Sequence, residues 1–312
     1  VTVSDRLSGL IAATFTPMHQ DGSLNLKQVP LIVEHLIREE ISGMYVCGST
    51  GEGPSLTTEE RCETVEAYVN ASSGRIPVIT QVGHDSLQEA KKLAGHSAQV
   101  GVDAIAALPP SYFKCGSLEV LIECLAEIAG VCPSLPFFYY HIPALTGCDL
   151  DMIEFLQRAP ERIPNLAGIK YSAPTLHEFQ GCVRFARGRF DVLFGVDEMM
   201  LGALAMGAKG AIGSTYNFAA PIYRQVVRTY GQGDLERARE FQGVAGDMIR
   251  VLARFGGQPA IKSMMKFLGI DCGPSRLPLV ALSDSELSEL RKAMDAIGLF
   301  EFLKPGAHAA NL

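Results

Sequence analysis

A lysine sits near the end of the apolar run Leu166-Ala167-Gly168-Ile169-Lys170-Tyr171-Ser172. An ammonium ending a buried strand must be paired or have its pKa lowered by desolvation, and a neutral amine in an enclosed site is a nucleophile toward carbonyl carbon. Two further stretches carry compatible chemistry. Gly48-Ser49-Thr50-Gly51-Glu52-Gly53 sets two hydroxyls among glycines that let the backbone turn, so that several N–H groups can converge on an anionic oxygen. No GK[ST] follows, which makes a carboxylate a better guest there than a phosphate. Tyr140 ends an aromatic run, and a phenol in that place can relay protons or fill core with a polar tip. Each stretch also has a structural reading: a lysine ending an edge strand in water, a tight turn, aromatic packing.

The elements that must position these groups show in an alternation of short apolar runs and amphipathic stretches. Strands are expected at 9–17, 44–47, 77–82, 104–108, 137–142, 166–172, 191–195 and 211–214. Helices are expected at 26–39, 57–71, 86–100, 117–129, 149–158, 175–186 and 198–206. Thr57 with Glu60, and Ser86 with Glu89, have the spacing of capping boxes. Such βα units with short loops predict a (β/α)8 TIM barrel, because right-handed crossovers turn every strand the same way and closure removes both edges. An open doubly wound sheet is the rival, but no glycine fingerprint opens a first βα unit. Beyond about residue 220 the chain reads as helix at 221–230, 235–255, 259–268 and 283–296, which completes the barrel and adds a C-terminal helical appendage. The expected division is a catalytic barrel over 1–232 and a helical extension packed on it over 233–312.

In such a barrel the chemistry lies at the carboxyl ends of the strands. That rule selects Thr16, Ser49, Thr50, Tyr112, Tyr140, His141, Lys170, Ser172, Asp197, Glu198 and Ser214. It sets aside Lys27, Lys91, Lys92, Lys262, Lys266 and Lys292 as solvated lysines on helix faces. His141 alternates away from Tyr140 and is expected to pack between strand and helix. Asp197 can equally cap the helix that follows it. Ser111 to Lys114 spells SxxK, but in a loop and without SDN or KTG partners, so it is a coincidence.

Composition narrows the partners. A chain of 312 residues that is 47% hydrophobic with a formal charge of -7 can bury a large core and has no basic stripe, which argues against nucleic acid and anionic membrane. The expected ligand is a small molecule. The seven histidines show no HExxH spacing, so no metal site is expected. Eight cysteines without a CxxC pair read as free thiols of a reducing compartment. No apolar run of about 18 residues occurs and the amino terminus lacks a basic-then-apolar leader, so a cytoplasmic location is expected.

Five motifs, in order at the expected strand ends, resemble the pyruvate-dependent class I aldolase family, which contains the N-acetylneuraminate lyases and the dihydrodipicolinate synthases. They are GSTGEG at 48–53, YHIPALTG at 140–147, GIKYS at 168–172, GVDE at 195–198 and GAIGSTYN at 210–217, and the resemblance spans nearly the whole chain. It implies a barrel with C-terminal helices, a homotetramer, and chemistry through a covalent Schiff base with no metal or organic cofactor. Lys170 would form the imine, Tyr140 would relay protons and link to Thr50, and Ser49 with Thr50 would hold the substrate carboxylate. The synthases carry an arginine five residues beyond the catalytic tyrosine, where this chain has Leu145. GVDE resembles the lyase branch instead, whose Asp197 and Glu198 would accept hydrogen bonds from sugar hydroxyls beside Ser172, Gly195, Gly213 and Ser214. Tyr112 is the candidate for a tyrosine that family members send into a neighbouring subunit's site. The activity so implied is reversible cleavage of N-acetylneuraminate to N-acetylmannosamine and pyruvate. The alternatives are another pyruvate aldolase acting on a 2-keto-3-deoxy sugar acid, or a non-catalytic keto acid or sialic acid binding protein.

Overall fold

A computed structural model describes residues 7–303, so the outer ends of the expected ranges 1–232 and 233–312 lie outside the described residues. Eight parallel strands close into a barrel in sequence order: β1 (Gly9–Ala13), β2 (Gly43–Val46), β3 (Val78–Gln81), β4 (Ala104–Ala107), β5 (Phe137–His141), β6 (Leu166–Tyr171), β7 (Asp191–Phe194) and β8 (Gly210–Gly213). β1 pairs with both β2 and β8, which removes the free edges. The intervening helices are α1 (Val29–Arg38), α2 (Thr58–Ser72), α3 (Leu87–Val100), α4 (Leu118–Ala129), α5 (Pro143–Thr146), α6 (Met152–Arg158), α7 (Leu176–Ala186) and α8 (Met200–Ala205), with α9 (Tyr216–Gly231) after the last strand. Four more follow: α10 (Leu235–Arg254), α11 (Gln258–Phe267), α12 (Asp284–Ala296) and α13 (Leu299–Phe302). No helix among the described residues is long and apolar enough to cross a membrane.

Side-chain alternation along the strands makes two cores. Ile11, Tyr45, Ile79, Phe138, Tyr140, Leu193 and Ile212 fill the barrel interior, while Leu10, Met44, Val46, Tyr139, Ile169 and Tyr171 face the helices. The strand carrying Lys170 has an irregularity that matters. Phe137 pairs with Leu166 but Phe138 pairs with Gly168, so Ala167 is an extra residue on β6. The bulge shifts the inward face by one position, and Lys170 comes into register with inward-facing Tyr140. A Cβ at Gly168 would collide with the Asp191 carbonyl of the next strand, so the bulge needs glycine there.

Where the elements depart from expectation, local causes are visible. Thr57 and Glu60 form the full capping box of α2. At α3 only half of one forms: Ser86 accepts from the Glu89 N–H, while the Glu89 carboxylate turns to Thr58 and Lys92. The helix expected over 149–158 begins later, at Met152, because Asp151 accepts from the N–H groups of Ile153 and Glu154 and so acts as its N-cap. α9 begins five residues before the expected start at Pro221 and bends at Ala219, because proline cannot donate the helical bond and its ring crowds the preceding turn.

Candidate active site

A cavity of about 320 Å³ opens at the carboxyl ends of the strands, as a barrel requires of its site. Lys170 and Tyr140 project into it from β6 and β5, and Ser49 and Thr50 reach it from the loop after β2. Ser172, Gly195, Asp197, Glu198, Gly213 and Ser214 complete the far wall. Ten of the eleven residues that the resemblance assigns to the site therefore meet in one place. Tyr112 is not among the residues lining it; its ring packs edge to face on Phe113 in the loop after β4, and the two are 80% and 84% exposed.

Lys170 is 4% exposed, and burial pushes its ammonium below the ordinary lysine range against the pull of Tyr140 and Asp197. Tyr140 Oη lies 3.4 Å from Ser49 Oγ. The hydroxyl within bonding distance of Tyr140 is thus that of Ser49, where a link to Thr50 was expected. The turn uses two of its own N–H groups, Glu52 to the Ser49 carbonyl and Gly53 to the Gly48 carbonyl, which leaves those of Ser49, Thr50 and Gly51 to serve as donors. Thr16 Oγ1 donates to the Gly51 carbonyl at 2.7 Å, fastening the loop from β1.

Asp197 does not cap a helix. It lies inside a short 3₁₀ turn whose cap position is Val196, and its Oδ2 accepts from Thr215 N at 2.9 Å and Thr215 Oγ1 at 2.6 Å. Burial raises its carboxyl pKa while the Thr215 bonds hold it down. Glu198, next along the turn, is exposed at the rim. A side chain at Gly213 would strike Asp197, and one at Gly195 would strike Ser172, so both glycines keep the cleft open.

His141 packs as expected, fully buried between the rings of Tyr139 and Tyr171. Lys262 does not behave as a solvated helix lysine: it is 2% exposed and bonded to Glu52. Residues not anticipated also form the site. Gln258, Ile249 and Ile261 line the cavity from α11 and α10, and Gln258 Nε2 donates to the Thr50 carbonyl at 2.7 Å. No local signal marks them, and the partner of Gln258 lies 208 positions away. Tyr45, whose ring lies against Lys170, was detectable as the inward-facing aromatic of β2. Among the described residues no three His, Cys, Asp or Glu side chains converge as a metal would require.

A family model described as the dihydrodipicolinate synthetase family matches residues 6–297. Among relatives, N-acetylneuraminate lyase A of Xenopus laevis is 42% identical over 278 residues, covering 88% of this chain and 91% of its own. The human N-acetylneuraminate lyase is 39% identical over 310 residues, 96% of each chain. The solved structure of Proteus mirabilis N-acetylneuraminate lyase superposes with a TM-score of 0.92 at 38% identity, over 95% of this chain and all of that one. A match of this extent, to sequences and to a solved barrel alike, places the chain in the dihydrodipicolinate synthetase family.

Proposed function

We propose that this chain is a class I lyase that cleaves N-acetylneuraminate reversibly to N-acetylmannosamine and pyruvate through a Schiff base on Lys170, with no metal or organic cofactor. The observation that carries the reading is the placement of Lys170: an amine deprived of solvent at the mouth of the barrel, beside the Tyr140 and Ser49 pair. The family, and the names of its similar members, support the substrate.

The chemistry follows from these groups. A neutral Lys170 attacks the ketone carbon, Tyr140 passes a proton to the resulting oxygen, and water leaves to give a cationic iminium. The iminium is the electron sink. Removal of the proton from the hydroxyl one carbon beyond the α-carbon breaks the carbon–carbon bond, and the electron pair moves into an enamine as the aldehyde departs. Protonation of the enamine carbon and hydrolysis of the iminium release pyruvate and restore the amine. Ser49 and Thr50, with the loop N–H groups, hold the carboxylate beside the nitrogen, where its charge favours the cation. Asp197, Glu198, Ser172 and Ser214 offer the acceptors and donors a polyhydroxylated chain needs. Leu145, 66% exposed, offers no charge for a second carboxylate. The same reading has Tyr112 reach a neighbouring copy's site in a homotetramer, supported by the exposure of the Tyr112 and Phe113 rings.

Borohydride reduction in the presence of pyruvate, followed by intact mass and peptide mapping, tests this directly. A pyruvate-sized adduct confined to Lys170 is expected. No adduct while the folded protein binds pyruvate would leave a binding protein, and a panel of aldehyde acceptors identifies the sugar.

A further inference from the structure

Lys170 Nζ lies 4.0 Å from the centroid of the Tyr140 ring and 4.0 Å from that of the Tyr45 ring. The rings meet edge to face, with centroids 5.6 Å apart and planes at 79°. Those distances place the two centroids almost at a right angle as seen from the nitrogen, which matches the angle between the planes. The amine therefore sits in a corner with a π face on each wall. Tyr140 has a role in the proton transfers above, and Tyr45 has none. Yet its place is built: it is 1% exposed, it faces inward on β2, and a Cβ at Gly48 would lie 2.7 Å from its ring. Its hydroxyl is buried and has no hydrogen-bond partner among the described residues, so no anchoring bond explains a tyrosine there. What it offers the site is its ring.

We propose that Tyr45 is a further catalytic residue, whose π face, square to that of Tyr140, stabilises the positive charge on the Lys170 nitrogen once it has become the protonated imine. The imine rests on the Schiff-base reading; the corner of rings does not. Ring faces suit this task better than a carboxylate in contact. A carboxylate would hold a proton on the free amine and block attack, whereas a ring attracts the cation and leaves the lone pair of the neutral amine open. A cation over a ring gains more in a desolvated site than in water. The titratable groups that act on Lys170 are Tyr140 from β5 and Asp197 from the turn after β7, while Tyr45 from β2 meets it through its ring and Arg61 of α2 acts on Tyr45.

The test fills position 45 of the full chain with phenylalanine and then with its mono-, di- and trifluorinated forms, which drain the π face at nearly constant shape. Two readouts are taken on each. The pH dependence of Lys170 acetylation by acetic anhydride, mapped by peptide mass, reports the proton affinity of the amine without substrate. Borohydride trapping over a range of pyruvate concentrations reports the iminium. Tyr45→Phe is expected to stay within about threefold of the parent, while successive fluorines lower the acetylation midpoint and weaken pyruvate adduct formation by roughly tenfold over the series. A flat series with a normal adduct overturns the proposal and leaves Tyr45 as packing. Absence of any pyruvate adduct in the parent overturns the Schiff-base reading and the imine step with it, and the acetylation midpoints then show whether the rings hold a cation at all.

Discussion

Lys262 of α11 and Glu52 of the loop after β2, 210 positions apart in the chain, form an ion pair at 2.8 Å whose side chains are 1% and 0% exposed. Lys262 also donates to the Pro274 carbonyl, and the Arg276 N–H donates to the other Glu52 oxygen, each at 2.8 Å. Glu52 itself holds a left-handed backbone at φ 55°, which turns its carboxylate away from the cavity that Ser49 and Thr50 face. The C-terminal helices thus grip the back of the loop proposed to hold the substrate carboxylate.

Breaking that pair from one side strands a buried charge. Lys262→Met alone is expected to cost about 3–5 kcal/mol in urea denaturation, and Glu52→Leu combined with Lys262→Met to recover much of the loss. In variants that stay folded, KM for the keto acid should rise more than kcat falls. Simple additivity of the two single losses would show that the pair is not coupled.

Lys170→Met is expected to abolish turnover, by at least about a thousandfold, because no other amine among the described residues lines the cavity. It should also change the pH dependence of stability. Burial lowers the folded pKa of Lys170 from the ordinary 10.5, so between those two values the unfolded chain holds one more proton than the folded one. Stability from this residue therefore rises with pH across that window and is least below it. The methionine variant should lack that rise when denaturation midpoints are compared between neutral and alkaline pH.

Tyr140→Phe keeps the ring beside Lys170 and loses the hydroxyl near Ser49. A loss of roughly 10²–10⁴ in kcat is expected, with the affinity for pyruvate much less affected. Equal losses in both, from steady-state rates and adduct titration, would assign Tyr140 to binding instead.

His141 is fully buried, with both ring nitrogens unpartnered among the described residues, and burial lowers its pKa from 6.5. Below that value the unfolded chain takes up a proton that the folded chain refuses, so this residue makes stability fall with pH from 6.5 down to its folded value. His141→Phe should flatten part of the acid limb, and His35, lowered in the same way by burial, should keep the rest. An unchanged acid limb in the variant would mean that His141 contributes nothing to it.

By itself the sequence determined the eight alternations of strand and helix and the strand-end placement of eight residues that line the cavity, because apolar periodicity, capping residues and the glycine turn act over a few neighbouring positions. Which way Lys170 faces was decided only by the tertiary structure, since it depends on the bulge at Ala167 and on how closely Gly168 meets the next strand. The burial of Lys262 and the approach of Gln258 were likewise invisible, as each joins residues far apart in the chain. A lysine on a helix reads as solvated until the fold lays a carboxylate against it, and only closure of the barrel with its C-terminal helices does that.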